Sequence, residues 1–465
     1  MVAASRTDAG RGRMLRRWAA FADAFGTRLW PVPTVAVVAA VIAGLAIPVI
    51  DRQVDAQLPA GLESMLFGGG TDSARAVLSA IAGSLITATS LTFSLTVVAL
   101  QLASSQASPR VLRLFAQDRM VHGTLALFLA TFAYALTVLR TVDDADGDPF
   151  IPRIAVTLAS LLTFASVVVL VFFLAHLAAQ LRVETILRDV HRETARTIEL
   201  VAETALDGVD RAPERPDSAH TVAARRSGFL TGIDRHALLE TAATYDIVIL
   251  ERRAIGSSVI AGTPLADWWP RAGGGPAGEG RADAPERDPS EIADAVTDAH
   301  STGYERTAAQ DVGFGLRQLT DIAVRALSPG VNDPTTAVHA LSHTSALLCR
   351  IASLDPEPEA LTDDDGVARV VQGSHDFADL LEVAVQQPRR YGASDPVVAA
   401  RLFQLLHDVA LHTGPGADGE AVRAQADRLA ASVDAEDYDA VEREGFARAR
   451  RAIDEALSSP APADA

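Results

Sequence analysis

The stretch PVPTVAVVAAVIAGLAIPVI, residues 31–50, contains no charged side chain. A helix of about 20 such residues is long enough to cross a hydrocarbon core of roughly 30 Å. Three further apolar runs follow, at about residues 76–103, 121–139 and 154–179. The sequence therefore predicts a membrane domain of four transmembrane helices over residues 31–180.

Charge is distributed unevenly along the 465-residue chain, whose formal net charge is −18. Residues 1–180 contain 13 arginines against 11 acidic residues, whereas residues 181–465 contain 28 arginines against 48 acidic residues. Because the charge and the hydrophobicity occupy different parts of the chain, we expect the acidic second part to form a domain outside the membrane.

Arginine positions predict the orientation of the four spans. The N-terminal segment, residues 1–30, is basic, and further arginines lie at residues 110–119 and 182–196. Placing all three segments in the cytoplasm satisfies the excess of arginine expected there and leaves the two acidic loops outside. Both termini and the whole second part are therefore predicted to be cytoplasmic.

The second part divides into segments of different composition. We predict a helical stalk at 181–206, a small β-containing module at 227–269, a flexible loop rich in Gly, Ala and Pro at 270–290, a helical domain at 291–457 and a disordered tail at 458–465. The predicted fold class is a polytopic α-helical membrane protein with four transmembrane helices and a cytoplasmic α+β, mostly helical, C-terminal domain.

Composition excludes several functions. The sequence contains no lysine, so a Walker-type phosphate loop, a pyridoxal Schiff base and a biotinyl or lipoyl attachment site are all impossible. One cysteine, Cys349, excludes an intrachain disulfide and any site built from several thiolates. The acidic balance argues against nucleic acid as a partner.

The second predicted span carries a polar stripe. At 100° per residue, its small and polar residues fall within a strip of about 60° on one side of the helix. The stripe consists of Gly83, Thr87, Ser90, Ser94, Gln101, Ser105 and Ser108. On the opposite side, Thr89, Thr92 and Thr96 have hydroxyls that can donate to the carbonyl four residues earlier. Two interpretations of the stripe remain open: a helix packing seam, or the lining of a water-filled path through an oligomer.

A second dense pattern is QDVGFGLRQLTDIAVRALSPGVNDPTTA, residues 310–337. Arg317, Asp321 and Arg325 recur every four residues, a spacing that allows an Arg-Asp-Arg ladder on one helix face. The helix is predicted to stop at residues 328–330, and a new helix to begin after a tight corner.

At this corner, Asp333 is predicted to be the N-cap and Pro334 the first helical residue. Asn332, Thr335 and Thr336 add an amide and two hydroxyls at the same place. Two interpretations again remain open. The corner is either a purely structural cap, or a site for a small anion that the nearby arginines complete.

No catalytic or metal site is predicted. His339 and His343 share the four-residue spacing of some metal ligands, but the sequence shows neither an HExxH motif nor an obvious third ligand. No nucleophile motif is present, and Cys349 lies in an apolar helical context. We therefore expect no cofactor and no enzymatic activity.

Two motifs carry a resemblance to a known family. The segment FSLTVVALQLASSQASPRVLRLFAQDR, residues 93–119, and the segment at 310–337 resemble the bacterial membrane-protein family catalogued as domain of unknown function 2254. The likeness extends from the first span to about Leu411, with residues 270–290 as an insertion. It implies a bacterial inner-membrane protein and brings no activity or ligand with it.

Two functional hypotheses follow. The first is a homo-oligomeric channel-like protein in the lipid bilayer, with the polar stripe along the path of ions or small solutes and the cytoplasmic domain as a gate or sensor. The second is a membrane-anchored sensor or scaffold whose cytoplasmic domain binds a partner or a small anionic ligand. An enzyme with a site around Arg317, Asp321, Asn332 and Asp333 is a third alternative.

Overall fold

The computed structural model describes residues 30–54, 66–106, 118–142, 150–180, 182–271, 288–354 and 358–459. Contacts divide the chain into two compact units, Met1–Ile186 and Leu187–Ala465. The predictions for residues 1–29, for most of the loop at 270–290 and for the end of the tail lie outside the described residues.

Four helices account for the predicted spans. They are α1 (Pro31–Val54), α2 (Thr71–Gln106), α3 (Arg119–Leu139) and α4 (Arg153–Gln180). Each is long and apolar enough to cross a membrane, which confirms four apolar helices at the predicted places. With 36 residues, α2 is about 54 Å long, so it exceeds the thickness of a hydrocarbon core.

Helix α3 is the central helix of this unit. It packs against α1, α2 and α4, and its residues Phe128, Tyr134 and Ala135 share a core with Leu78 and Leu85 of α2. By contrast, α1 and α4 expose many large apolar side chains. Lipid can solvate those surfaces, because hydrocarbon tails are as apolar as the side chains themselves.

A buried carboxylate connects the end of α1 to the start of α4. The side chain of Asp51 accepts hydrogen bonds from the backbone N–H groups of Ile154 and Ala155, at 2.9 and 3.4 Å. It thereby satisfies two of the donors that every helix start leaves open. Beside it, the Tyr134 hydroxyl donates to the Ala155 carbonyl at 3.2 Å.

The predicted stalk forms a separate helix, α5 (Val183–Glu203). From Leu187 onward it belongs to the second unit. Leu187, Val190 and Ile198 on its apolar side are buried, and Thr197 donates to the carbonyl of Ala308 at 2.7 Å. The amphipathic sequence explains this position, since an apolar stripe needs a partner surface.

The second unit contains nine described strands in two sheets. The strands are β1 (Gly208–Val209), β2 (His220–Ala223), β3 (Gly228–Ile233), β4 (Ile247–Glu251), β5 (Ser258–Val259), β6 (Pro264–Pro270), β7 (His300–Gly303), β8 (Ala360–Thr362) and β9 (Ala368–Val371). The six-stranded sheet has the order β1-β8-β9-β4-β6-β2, and the three-stranded sheet the order β5-β3-β7. Of the paired strands, only β4 and β9 run parallel among those described.

The predicted boundaries of the β-containing module at 227–269 are too narrow. Strands β1 and β2 precede it, while β7, β8 and β9 come from residues 291–457, the segment predicted to be a helical domain. Both β8 and β9 are short and pair with strands more than 100 residues away. Pairing at such separation leaves no periodic signal in the local sequence.

The remaining helices are α6 (Arg235–Tyr245), α7 (Pro289–Ala299), α8 (Val312–Ala326), α9 (Pro334–Ala352), α10 (Phe377–Gly392), α11 (Pro396–Thr413), α12 (Ala417–Asp434) and α13 (Ala440–Leu457). Aspartates cap seven of these eight, each accepting a backbone N–H at the first turn. Part of the acidity of this unit therefore serves helix starts, where negative charge is stabilised.

Helices α5 and α8 approach each other closely at Gly315. A Cβ atom at residue 315 would overlap the side chain of Thr194 on α5. The second glycine of the Gly313-Phe314-Gly315 motif thus permits this close approach. The start of α8 is fixed independently by Asp311, whose carboxylate accepts from Phe314 N–H and forms a bidentate ion pair with Arg306 at 2.8 Å.

Candidate functional site

The polar stripe of α2 lies on the surface of the membrane unit. Gly83, Thr87, Ser90, Ser94 and Gln101 are all exposed, and a Cβ at Gly83 would meet no atom within 4 Å. The large apolar residues on both sides of the stripe are exposed as well; they are Ile86, Phe93 and Val97 on one side, and Leu91, Val98 and Leu102 on the other. The stripe therefore runs along the middle of the exposed face of α2.

The opposite side of α2 faces the interior of the unit. Thr89, Thr92 and Thr96 are buried there. As predicted, Thr89 donates to the Leu85 carbonyl at 2.7 Å and Thr96 to the Thr92 carbonyl at 2.8 Å. The prediction is wrong for Thr92, whose hydroxyl has no hydrogen-bond partner among the described residues. The packing side of α2 is thus the threonine side.

The exposure of the stripe bears on its two interpretations, a packing seam or the lining of a path. Among the described residues of one chain, the stripe does not form the seam with α3, which lies on the threonine side of α2. Ser105 belongs to the last turn of α2, and Ser108 lies outside the described residues.

A polar pair that the sequence analysis did not select joins the start of α3 to the end of α4. One oxygen of Asp118 caps α3 by accepting from Met120 N–H at 2.8 Å, and the other lies 2.5 Å from Nε2 of His176. The Asp118 side chain is 11% exposed and that of His176 is 35% exposed. The sequence signal that could have predicted its capping role is the position of Asp118 directly before an apolar run.

The corner at residues 327–336 adopts the predicted cap. Asp333 accepts from the backbone N–H and the hydroxyl of Thr336, at 3.1 and 2.6 Å. Its own N–H donates to the Ala326 carbonyl at 2.8 Å, which closes the corner. Asn332 has a φ of 48° and is exposed, like Thr335. Asparagine tolerates this left-handed conformation better than most residues.

The negative charge of Asp333 at this corner disfavours binding of an anion. Hydrogen bonds from Thr336, side chain first, lower the pKa of Asp333, so its carboxylate is ionised at neutral pH and already occupies the positive end of α9. Arg317, Asp321 and Arg325 are half-buried along α8, and the Nε atom of Arg325 is buried without a hydrogen-bond partner among the described residues. The geometry is that of a structural cap.

Cys349, His339 and His343 are the other chemical groups of the second unit that the sequence analysis considered. Burial, followed by the charge of Asp408, raises the pKa of the Cys349 thiol to about 11, so the thiol stays protonated and is a weak nucleophile at neutral pH. His339 is exposed and His343 half-buried on α9. Within the part of the chain that the structure describes, no three His, Cys, Asp or Glu residues are arranged to hold a metal ion.

The family model described as "Predicted membrane protein (DUF2254)" matches residues 26–408. The chain belongs to this family. Its resemblance in the two motifs at 93–119 and 310–337 is thereby confirmed, and so is its place in a membrane. The matched range covers all four membrane helices and extends into α11.

Mycobacterial members of the family are similar along most of the chain. The uncharacterized protein Rv1290c of Mycobacterium tuberculosis is 36% identical over 401 residues, which are 85% of this chain and 74% of the relative. The uncharacterized protein Mb1321c of Mycobacterium bovis gives the same values. No solved structure matches the chain.

Proposed function

We propose that this protein is a homo-oligomeric, channel-like protein of the bacterial inner membrane. In this proposal, copies of α2 surround a path, and the stripe from Gly83 to Ser108 lines it. One observation carries the proposal: the stripe occupies the middle of the exposed face of α2 instead of the interior of the unit. The Thr87 hydroxyl donates to the Gly83 carbonyl at 3.0 Å. The amide of Gln101 has hydrogen-bonding capacity that lipid does not satisfy, whereas water or a second helix does.

The charge distribution supports an orientation of the chain in the membrane and a preference of the path for cations. With both termini in the cytoplasm, the arginines around residues 182–196 lie on the cytoplasmic side. The second unit then forms an acidic cytoplasmic domain. A strongly negative domain raises the local concentration of cations over anions, so we propose a cation-preferring path.

Ion flux through liposomes tests the proposed path. Purified full-length protein is expected to pass K⁺, and Ser94→Leu and Gln101→Leu are expected to reduce the flux severalfold, because leucine removes polar lining. Ser84→Leu is the matched control, since Ser84 is exposed on α2 but about 90° away from the stripe. If the protein conducts no ions under varied voltage, membrane tension and pH, the result contradicts the channel and favours a membrane-anchored sensor or scaffold.

Disulfide cross-linking tests the proposed contact between copies. In a chain freed of its single thiol by Cys349→Ser, a new cysteine from Ser94→Cys is expected to form a covalent dimer on mild oxidation in membranes. The matched control is Thr92→Cys, because Thr92 is fully buried inside the unit. Equal cross-linking of Ser94→Cys and Thr92→Cys contradicts this contact. The absence of cross-linking in both Ser94→Cys and a second stripe variant, Ser90→Cys, also shows that the exposed face of α2 does not meet a second copy.

A further inference from the structure

Two histidines face each other where α5 meets α9. The rings of His191 on α5 and His343 on α9 have centroids 5.0 Å apart and are tilted by 57°. Both residues are half-buried. The Nδ1 atom of His191 is buried and has no hydrogen-bond partner among the described residues. Neither capping nor metal binding explains this pair.

Few other described contacts hold α5 against α9. Arg350 of α9 pairs with Glu199 of α5 at 2.7 Å, but the two side chains are 41% and 50% exposed. Such surface ion pairs contribute little to stability, because water and salt screen them. The other described side-chain contact between α5 and α9 is that of the two imidazole rings.

The surroundings of His343 disfavour its protonated form. Burial, followed by the neighbouring His191 and His339, lowers the pKa of His343. On α5, the nearby Asp189 carboxylate pairs with Arg188 and Arg192 at 3.6 and 3.3 Å, so it is already engaged by two cations. Once both rings are protonated, two positive charges face each other at short range, where repulsion is strong.

We infer that the contact between α5 and α9 is a proton-sensitive contact, which is closed while His191 and His343 are neutral and loosens when both are protonated. The direction of the pH effect follows because the folded state favours the neutral form of His343. Its contribution to stability is present above the ordinary histidine pKa of about 6.5 and is lost as the pH falls below it. The inference rests on the second unit alone and does not depend on the proposed channel.

Hydrogen–deuterium exchange of the full-length protein in detergent tests this inference. At about pH 5.5, backbone amides of residues 183–203 are expected to exchange about tenfold faster or more than at about pH 7.5, after correction for intrinsic rates. EDTA in every sample prevents a histidine-bound metal from producing the response. The double variant His191→Gln, His343→Gln is expected to exchange equally at both pH values, because its side chains stay neutral.

Two further variants guard against misfolding and unrelated effects. His343→Arg carries a permanent charge, so it is expected to show fast exchange in α5 already at about pH 7.5. His375→Gln removes a histidine that pairs with Asp379 and is expected to respond like the unmodified protein. Equal exchange of α5 at both pH values in the unmodified protein, or an undiminished response in the double variant, overturns the inference.

Discussion

Gly315→Ala is expected to lower the midpoint of thermal unfolding of the second unit, although alanine normally stabilises a helix. In an open helical position the same change is favourable by about 1 kcal/mol, because glycine has the greater backbone freedom to lose. At Gly315 the new methyl group overlaps Thr194 of α5. Overpacking of this kind costs about 1–3 kcal/mol, so the net effect is a loss of stability.

Matched variants separate overlap from helix propensity. Gly445 lies inside α13, and a Cβ there would meet no atom within 4 Å, so Gly445→Ala is expected to leave the midpoint unchanged or raise it. Adding Thr194→Gly to Gly315→Ala makes room on α5 and is expected to restore part of the loss. The midpoints are measured by circular dichroism of the purified protein in detergent. A Gly315→Ala protein as stable as the Gly445→Ala protein contradicts the close approach of α5 and α8.

Arg369→Met is expected to destabilise the six-stranded sheet by about 3–5 kcal/mol, the usual cost of removing one partner from a buried ion cluster. The guanidinium of Arg369, 8% exposed, binds Asp246 at 2.7 Å and Asp363 at 2.8 Å. Asp246 immediately precedes β4, and Asp363 lies in the turn between β8 and β9. Arg369 therefore ties the β8–β9 hairpin to the central strand.

The same cluster predicts an acid response. Burial alone raises the pKa of Asp246 and of Asp363, but hydrogen bonds from Arg369 to both, from Arg271 to Asp246 and from the Val367 backbone to Asp363 outweigh it and hold both pKa values below their usual range. Their stabilising effect is therefore present above the ordinary aspartate pKa of about 3.9 and is lost as the pH falls further. Arg369→Met is expected to flatten this part of the profile of unfolding midpoint against pH.

A surface pair provides the control for this experiment. Arg448 and Glu444 on α13 form an ion pair whose side chains are 63% and 70% exposed. Arg448→Met is expected to change the midpoint little, since exposed pairs contribute about 0–1 kcal/mol. Equal effects of the two arginine substitutions, or an unchanged acid profile in Arg369→Met, would show that the buried cluster does not stabilise the sheet.

The membrane helices could be predicted from sequence because the bilayer imposes a simple requirement. Residues 31–50 need only be long and apolar to span it, and no tertiary contact has to be known. The Asp333 cap was equally accessible, since its hydrogen bonds to Thr336 span three residues. Both are properties of a continuous segment.

The sheet could not be predicted in the same way. Strand β4 pairs with β9 and strand β1 with β8, so the order depends on contacts between distant segments. The turn of the β8–β9 hairpin, in contrast to its pairing with distant strands, has a local signal: Asp365-Gly366 lies between two apolar stretches, and Gly366 has a φ of 73°. A turn with Asp-Gly between apolar residues is typical of a hairpin.

The two sides of α2 could be predicted only in part. Helical periodicity separated Ser90 and Ser94 from Thr89 and Thr92, but periodicity does not say which side meets α3. Apolar neighbours such as Leu85 and Ala99, buried beside the threonines, decide this by contact with other helices. The polar stripe was thus identified from sequence, whereas its exposure required the packed unit.

The central position of α3 has a consequence for how the protein is made. Thr124, Thr131 and Tyr134 of α3 are buried in a unit where α3 packs against three other helices, and the Tyr134 hydroxyl donates a hydrogen bond to the Ala155 carbonyl of α4. Transmembrane helices associate within the bilayer through packing and hydrogen bonds. We therefore expect a chain that stops after Leu139 to lack both the α4 side of this packing and the acceptor of the Tyr134 hydroxyl.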